Sequence, residues 1–330
     1  MSAMKILVTG GAGYVGSNLV RALVREGHAV RVFCRESTSV EGLADLDVEI
    51  VRGDITDPDA VDRAVQGSGL VYHLVSNFRH PEVTDEVCRA VNVGGTKNVL
   101  ESCLRHKIDR LIHCSTIGVH GHVENPPANE DSPFNPGDSY QVTKLEAEQL
   151  AWFYHQNRGL PLTVVRPTSV YGPGDMRMLK MFRMIQKGTF FMLGPGNGLF
   201  HPVYITDLIK GFLLCQANRN TIGKVIIIGG DEIVTIDQLV RMVAARLGVK
   251  PPWIRFPIFP FYVLGFLCEA VCVPLGIMPP IYRRRVKFFV NHRAFDISRA
   301  RAVLGYKPEV DLRTGIDRTI EWYRKAGYLK

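Results

Sequence analysis

The stretch VTGGAGYVG, residues 8–16, constrains the fold of this chain more than any other. It follows the apolar run KILVT and opens a helical pattern that Gly27 ends. Gly10, Gly13 and Gly16 satisfy G-x-x-G-x-x-G, and Gly11, Gly13 and Gly16 satisfy G-x-G-x-x-G. Glycines at these spacings let the backbone turn sharply and approach a pyrophosphate, whose charge then rests on the helix N-terminus. A glycine triplet alone is weak evidence, but between a strand and a helix it stands in the context that confirms it. Gly10, Gly13, Tyr14, Val15 and Gly16 are therefore expected to hold a dinucleotide phosphate.

The pattern that follows repeats the strand–helix alternation. AVRVFCR, VEIVRGD, LVYHLVS, RLIHCST and LTVVRP read as further strands, with helices at DPDAVDRAVQG and over residues 84–106 and 140–157. Such alternation predicts a parallel sheet covered on both faces. The expected fold is α/β: a Rossmann-type doubly wound sheet with a smaller, partly interleaved C-terminal substrate lobe. Residues 1–167 are assigned to the nucleotide domain. Residues 168–330 are assigned mainly to the lobe, with segments around 200–230, including the strand KVIIIGG, returning to the main sheet. Two more helices are read at TIDQLVRMVAARLG, capped by Thr235, and DLRTGIDRTIEWYRKAG.

Composition excludes some classes. Hydrophobic residues make up 46% of 330, enough for a sizeable core. The net charge of +8 permits an anionic ligand, but no nucleic-acid motif accompanies it, so no nucleic-acid partner is expected. The seven cysteines show no C-x-x-C spacing and read as free thiols of a reducing compartment, with no metal site. The N-terminus enters a strand almost at once, without the pattern of a signal segment, and a cytoplasmic location is expected. The most apolar stretch, residues 256–273, contains Pro257, Pro260 and Glu269. It reads as a buried helix or a pocket wall. No membrane partner is expected beyond a weak surface contact through this stretch.

Two further places bear on chemistry. The second strand ends in Cys34 and Arg35, where a carboxylate would bond the ribose 2′-hydroxyl of NAD and an arginine would suit the 2′-phosphate of NADP. Arg35 leans toward NADP, while the nearby Glu36 leaves NAD open. Asp54, followed by Ile55, can bond an adenine amino group or cap the next helix. Tyr140 and Lys144 sit one turn apart on one helix face. A lysine there can lower the phenol pKa from about 10 and make it a usable acid or base.

In order, TGGAGYVG, GDITD, HLVSN, VNVGGTKNVLESC, HCSTIGVHG, SYQVTK, VVRPTSVYGPGD and HPVYITDL resemble the extended short-chain dehydrogenase/reductase family. This is the NAD-dependent epimerase/dehydratase group, with its 3β-hydroxysteroid dehydrogenase and dihydroflavonol reductase relatives. The resemblance implies that Tyr140 transfers the proton and that Lys144 bonds the nicotinamide ribose. It implies Thr116 as the catalytic Ser/Thr, with Ser115 the second choice. Leu74, Val75, Ser76 and Asn92 would support the nucleotide, and Pro167, Thr168 and Val170 would line the nicotinamide. A homodimer is also implied.

The pattern departs from nucleotide-sugar epimerases at Ser169, where they carry Asn, and at Phe200, where they carry Arg. His120 replaces a tyrosine, and it and His201 read as structural. Arg177, or the run Arg283–Arg285, can replace the missing arginine. The expected function is hydride transfer between a nicotinamide and a secondary alcohol or ketone, on a fairly apolar small-molecule substrate. A nucleotide-sugar 4-epimerase or dehydratase with tightly bound NAD is the alternative. A non-catalytic nucleotide-binding protein is the third.

Overall fold

The computed structural model describes residues 4–77, 84–272, 277 and 283–330, without the side chains of Arg284 and Arg285. The first half runs β1 (Lys5–Thr9), α1 (Tyr14–Arg25), β2 (Ala29–Cys34), β3 (Val48–Arg52), α2 (Pro58–Val65) and β4 (Leu70–His73). It continues through α3 (Asp85–Arg89), α4 (Gly95–Arg105), β5 (Arg110–Cys114), α5 (Ser139–Arg158) and β6 (Leu162–Pro167). Then come β7 (Ser169–Tyr171), α6 (Leu179–Gln186), β8 (Met192–Leu193), β9 (Leu199–Phe200), β10 (Pro202–Tyr204) and α7 (Ile205–Ala217). After these follow β11 (Lys224–Ile228), β12 (Val234–Thr235), α8 (Ile236–Leu247), β13 (Arg255–Phe256) and α9 (Ile258–Cys272). The chain ends with α10 (Arg283–Lys287), α11 (Ser298–Leu304) and α12 (Leu312–Lys325).

Seven strands form one sheet in the order β11-β6-β5-β4-β1-β2-β3, every pair parallel. Order reverses between β1 and β4, and a doubly wound sheet opens its ligand crevice at that switch, beyond the C-terminal strand ends. The Val/Ile/Leu runs of β1, β4 and β6 are buried throughout or nearly so, as strands covered on both faces must be. One apolar cluster joins the sheet to α1, α7 and α8, and a second joins it to α2, α4 and α5.

Local signals set the helix ends. Asp57 caps α2 just before Pro58, and Asp138 caps α5, which Gly159 ends in the left-handed conformation. Thr235 and Gln238 form a full capping box on α8. The helix expected over residues 84–106 is interrupted. A π-helical turn, Ala90–Gly94, separates α3 from α4. It carries Asn92, whose side chain bonds both the N–H and the C=O of Asn77.

The apolar stretch at 256–273 differs from expectation. Up to Cys272 it forms β13 and α9, but Gly265 is the only buried residue of that helix; Val273 lies outside the described residues. The reason is compositional. Apolar side chains surround α9 on nearly all sides, while it meets the chain only along one edge, with Ile258 against Gly194, Phe261 against Phe191, and Gly265 against the backbone of Arg283.

The sheet is locked to α5 by a buried ion pair. Arg166 on β6 gives its Nε to Glu148 Oε2 at 3.1 Å and its Nη2 to the other carboxylate oxygen. Its Nη1 meets the Glu130 carbonyl and His120 Nε2, both at 2.9 Å. Both charged side chains are almost inaccessible. Removing one partner strands the other charge in the core, whereas replacing both is tolerated. Arg166→Met is expected to destabilise the fold by about 3–5 kcal/mol in urea unfolding, with Arg166→Met/Glu148→Leu recovering most of it. A loss below about 1 kcal/mol for the single change would refute this role.

Candidate functional site

The phosphate end is built from close backbone approaches. Gly10 has φ of +74° and packs against the Leu74–Val75 peptide at the tip of β4. A Cβ on Gly16 would lie 2.1 Å from the Gly10 carbonyl oxygen, so only glycine lets α1 start this close to the turn. No side chain caps α1, and Gly13 at its N-cap is exposed. The unpaired N–H groups of its first turn, around Tyr14 and Val15, are left for an anion.

At the other end of the crevice, Cys34 is buried and Arg35 exposed. No carboxylate stands at the tip of β2. Arg52, which sequence reasoning passed over, organises that tip. Its Nη1 donates to the Arg35 and Thr38 carbonyls at 2.9 and 2.7 Å and approaches Cys34 Sγ at 3.4 Å. Asp54 is exposed and accepts from the Thr56 N–H and hydroxyl at 2.8 and 2.7 Å. These bonds hold its carboxyl below the usual range, with a smaller contribution from Arg35. Asp57, not Asp54, caps the next helix. Ile55 is buried and packs on Gly95.

On the opposite side of the phosphate turn, beyond β4 and at the end of β5, lies the Tyr–Lys face of α5. Lys144 is 3% exposed and donates from Nζ to the Cys114 carbonyl at 2.7 Å. Burial pushes its ammonium pKa down. Tyr140, one turn earlier, is half-buried. At the β5 tip, Ser115 is buried and its hydroxyl has no partner among the described residues. Thr116 is less buried, and its oxygen accepts from the Gly118 N–H at 3.0 Å. That bond uses an acceptor lone pair, so Thr116 keeps its O–H to donate. Asn92 is a strut. Besides Asn77, it bonds Thr143 Oγ1 at 3.0 Å, fastening the β4 tip to α5 beside Lys144.

Pro167, Thr168 and Val170 are buried at and just beyond the end of β6. The hydroxyls of Ser76, Ser115 and Thr168, on the segments leaving β4, β5 and β6, are all buried without a partner among the described residues. Buried polar atoms are normally bonded. Three orphan hydroxyls following adjacent strand ends are what a polar ligand lying across those ends would satisfy. With the uncapped α1, they fit a dinucleotide along the crevice.

Other candidates separate here. His120 and His201 are buried and structural: His201 Nε2 meets the Gly230 carbonyl at 2.7 Å. Phe200 is buried against Phe288 and offers no charge to a diphosphate. Ser169 is partly exposed on β7. Arg177 Nε bonds Asp175 at 2.7 Å, its Nη2 bonds the Val170 carbonyl at 2.6 Å, and its guanidinium lies 5.8 Å from the Tyr14 ring centre. Tyr140 also contributes to its electrostatic surroundings. Arg283 pairs with Glu269 on α9 at 2.6 Å, turned to that helix, while the Arg284 and Arg285 side chains lie outside the described residues. All seven cysteines are free, and the described residues contain no cluster of metal ligands.

Comparison with known proteins agrees with this geometry. The chain is 30% identical to a 3 beta-hydroxysteroid dehydrogenase/Delta 5-->4-isomerase of Mycobacterium tuberculosis (strain CDC 1551 / Oshkosh), covering 97% of this chain and 90% of that one. It is 29% identical to 3beta-hydroxysteroid-dehydrogenase/decarboxylase isoform 2 of Arabidopsis thaliana, covering 96% of this chain but only 61% of that longer relative. UDP-glucuronic acid 4-epimerase from Bacillus cereus, solved in complex with NAD, superposes with a TM-score of 0.79 at 26% identity, over 98% of this chain and 99% of that one. Residues 6–229 match the NAD dependent epimerase/dehydratase family. The chain is an extended short-chain dehydrogenase/reductase and belongs to the NAD-dependent epimerase/dehydratase family.

Proposed function

We propose that this enzyme is a dehydrogenase/reductase that interconverts a secondary alcohol and a ketone on a largely apolar substrate. The observation that carries this reading is the buried Lys144, held on the Cys114 carbonyl one turn after half-buried Tyr140, with the Ser115 and Thr116 hydroxyls at the adjoining strand tip. The bound nicotinamide cofactor supplies or accepts the hydride. In the reducing direction, Tyr140 gives its phenolic proton to the substrate oxygen, and Lys144 stabilises the phenolate that remains. Ser115 or Thr116 donates a hydrogen bond to the same oxygen as negative charge develops there. Phe200 in place of a cation favours an apolar substrate, as does the steroid named for the mycobacterial relative.

A nucleotide-sugar epimerase is the second reading, favoured by Arg177 beside Tyr14 at the crevice. The two differ in cofactor exchange. An epimerase returns the hydride to its substrate and keeps NAD, whereas a reductase releases its cofactor each turnover. Mass spectrometry of denatured, freshly purified protein separates them: an empty site that binds added NADPH or NADH supports the reductase, and near-stoichiometric NAD the epimerase. A homodimer including α5, whose Phe153 is exposed, and a cytoplasmic location complete the proposal.

Tyr140→Phe is expected to lower turnover about 10²–10⁴-fold while leaving NAD(P)H affinity, read by fluorescence titration, nearly unchanged. Surviving turnover would refute the role of Tyr140. With no carboxylate at the β2 tip, we further propose a preference for NADP. Arg35→Ser is then expected to weaken NADPH binding about 10–100-fold, the loss of one hydrogen bond to a charged group, with little effect on NADH. Equal loss for both cofactors would contradict it.

A further inference from the structure

The least explained surface of the molecule is α9. Phe259 is 76% exposed and Val271 61%, with Phe266, Leu267 and Leu264 close behind. At 100° per residue, the exposed large apolar side chains from Phe259 to Val271 span about 200° of the helix circumference. The only carboxylate of α9, Glu269, is bound by the Arg283 guanidinium and N–H. The helix therefore presents a broad convex apolar face without charge. A contiguous apolar face of this kind marks an interaction site.

We propose that α9 docks this enzyme on the surface of an anionic lipid bilayer, inserting into one leaflet. Three observations favour lipid over protein. A flat protein face covers one side of a helix, whereas a fluid acyl layer closes around a convex arc of this width. In the sequence, positive charge flanks the patch: residues 249–293 hold Lys250, Arg255, Arg283, Arg284, Arg285, Lys287 and Arg293 against Glu269 alone, with Arg283 paired to Glu269. Arg255 is shared with Asp237, so part of this charge is offset from outside the segment. Tyr262 belongs to the patch and Trp253, 84% exposed, precedes it in the sequence, and such rings settle at the headgroup level. The described helix is too short to span a bilayer. Fifteen residues reach roughly 22 Å, short of the ~30 Å hydrocarbon core. Among the described residues no helix is long and apolar enough to cross a membrane. The attachment is interfacial, through apolar insertion aided by basic residues. It does not depend on which substrate the enzyme takes.

The test is co-sedimentation of the full chain with vesicles of phosphatidylcholine, alone or mixed with phosphatidylserine. Binding is expected to be on the order of tenfold or more tighter to the mixed vesicles and to weaken with salt without vanishing. Phe259→Ser/Leu267→Ser is expected to abolish it while preserving cofactor affinity. In the unaltered chain, Trp253 emission is expected to shift to the blue on adding vesicles, and Trp253→Phe removes that change. Absence of sedimentation with either vesicle overturns the proposal. So does a fall in oligomeric state of the double variant in vesicle-free buffer, which assigns the face to a second copy of the chain.

Discussion

A lysine ammonium buried under the ends of a parallel sheet is stable only if something replaces its water. Here the Cys114 carbonyl does so, at 2.7 Å. That bond is one anchor on the rotation of α5 about its axis, since the carbonyl belongs to a strand held on both sides in the sheet. One turn further, Glu148 faces Arg166, so the same helix edge carries a second polar anchor into the adjoining strand. Tyr140 occupies the first turn of this edge. Its direction is thus decided by two bonds made below it, and the Asn92–Thr143 contact adds a third from the β4 side.

The other half of the crevice follows a different rule. Where α5 is held by charges, the first strand–helix turn is shaped by the absence of side chains. The contact between Gly16 and the Gly10 carbonyl brings a helix end within reach of a phosphate, and the uncapped first turn supplies the donors. One wall of the crevice is rigid backbone with positive dipole. The other is rigid side chain, and the unbonded hydroxyls at the strand ends lie between them. Such preorganisation is what a hydride transfer requires, since the donor and acceptor carbons must meet at a fixed distance and angle.

How much of this was legible follows from how local each signal is. The strands of the sheet read directly, because strands buried on both faces appear as continuous Val/Ile/Leu runs. The glycine turn and the cap at Thr235 are also local patterns. The π-helical turn at Ala90–Gly94 was not legible, since Asn92 earns it by bonding a segment fifteen residues away. Arg52 escaped notice for a similar reason: it acts on carbonyls of another loop. Arg166 and Glu148 each look like an ordinary charged residue until the fold brings them together. The apolar run at α9 was misread because hydropathy reports a preference for leaving water and not the partner that receives it. The orphan hydroxyl of Ser115 became visible only in three dimensions, since its neighbour Thr116 has the same chemistry in one.

The histidine beneath the switch point carries a consequence of its own. His73 stands between the hydroxyls of Thr9 and Thr96, at 2.8 and 2.9 Å, and burial pushes its pKa from 6.5 down to about 3. Its neighbour His113, with ring centres 5.3 Å apart, is driven down by burial as well. Both rings therefore stay neutral at physiological pH, and the nearby Lys144 charge pushes them further in the same direction. Because the folded pKa values lie below the unfolded ones, neutral burial favours the folded state above about pH 6.5 and increasingly opposes it as pH falls below that value. The fold has traded acid tolerance for a floor beneath the crevice that carries no histidine charge in the neutral range.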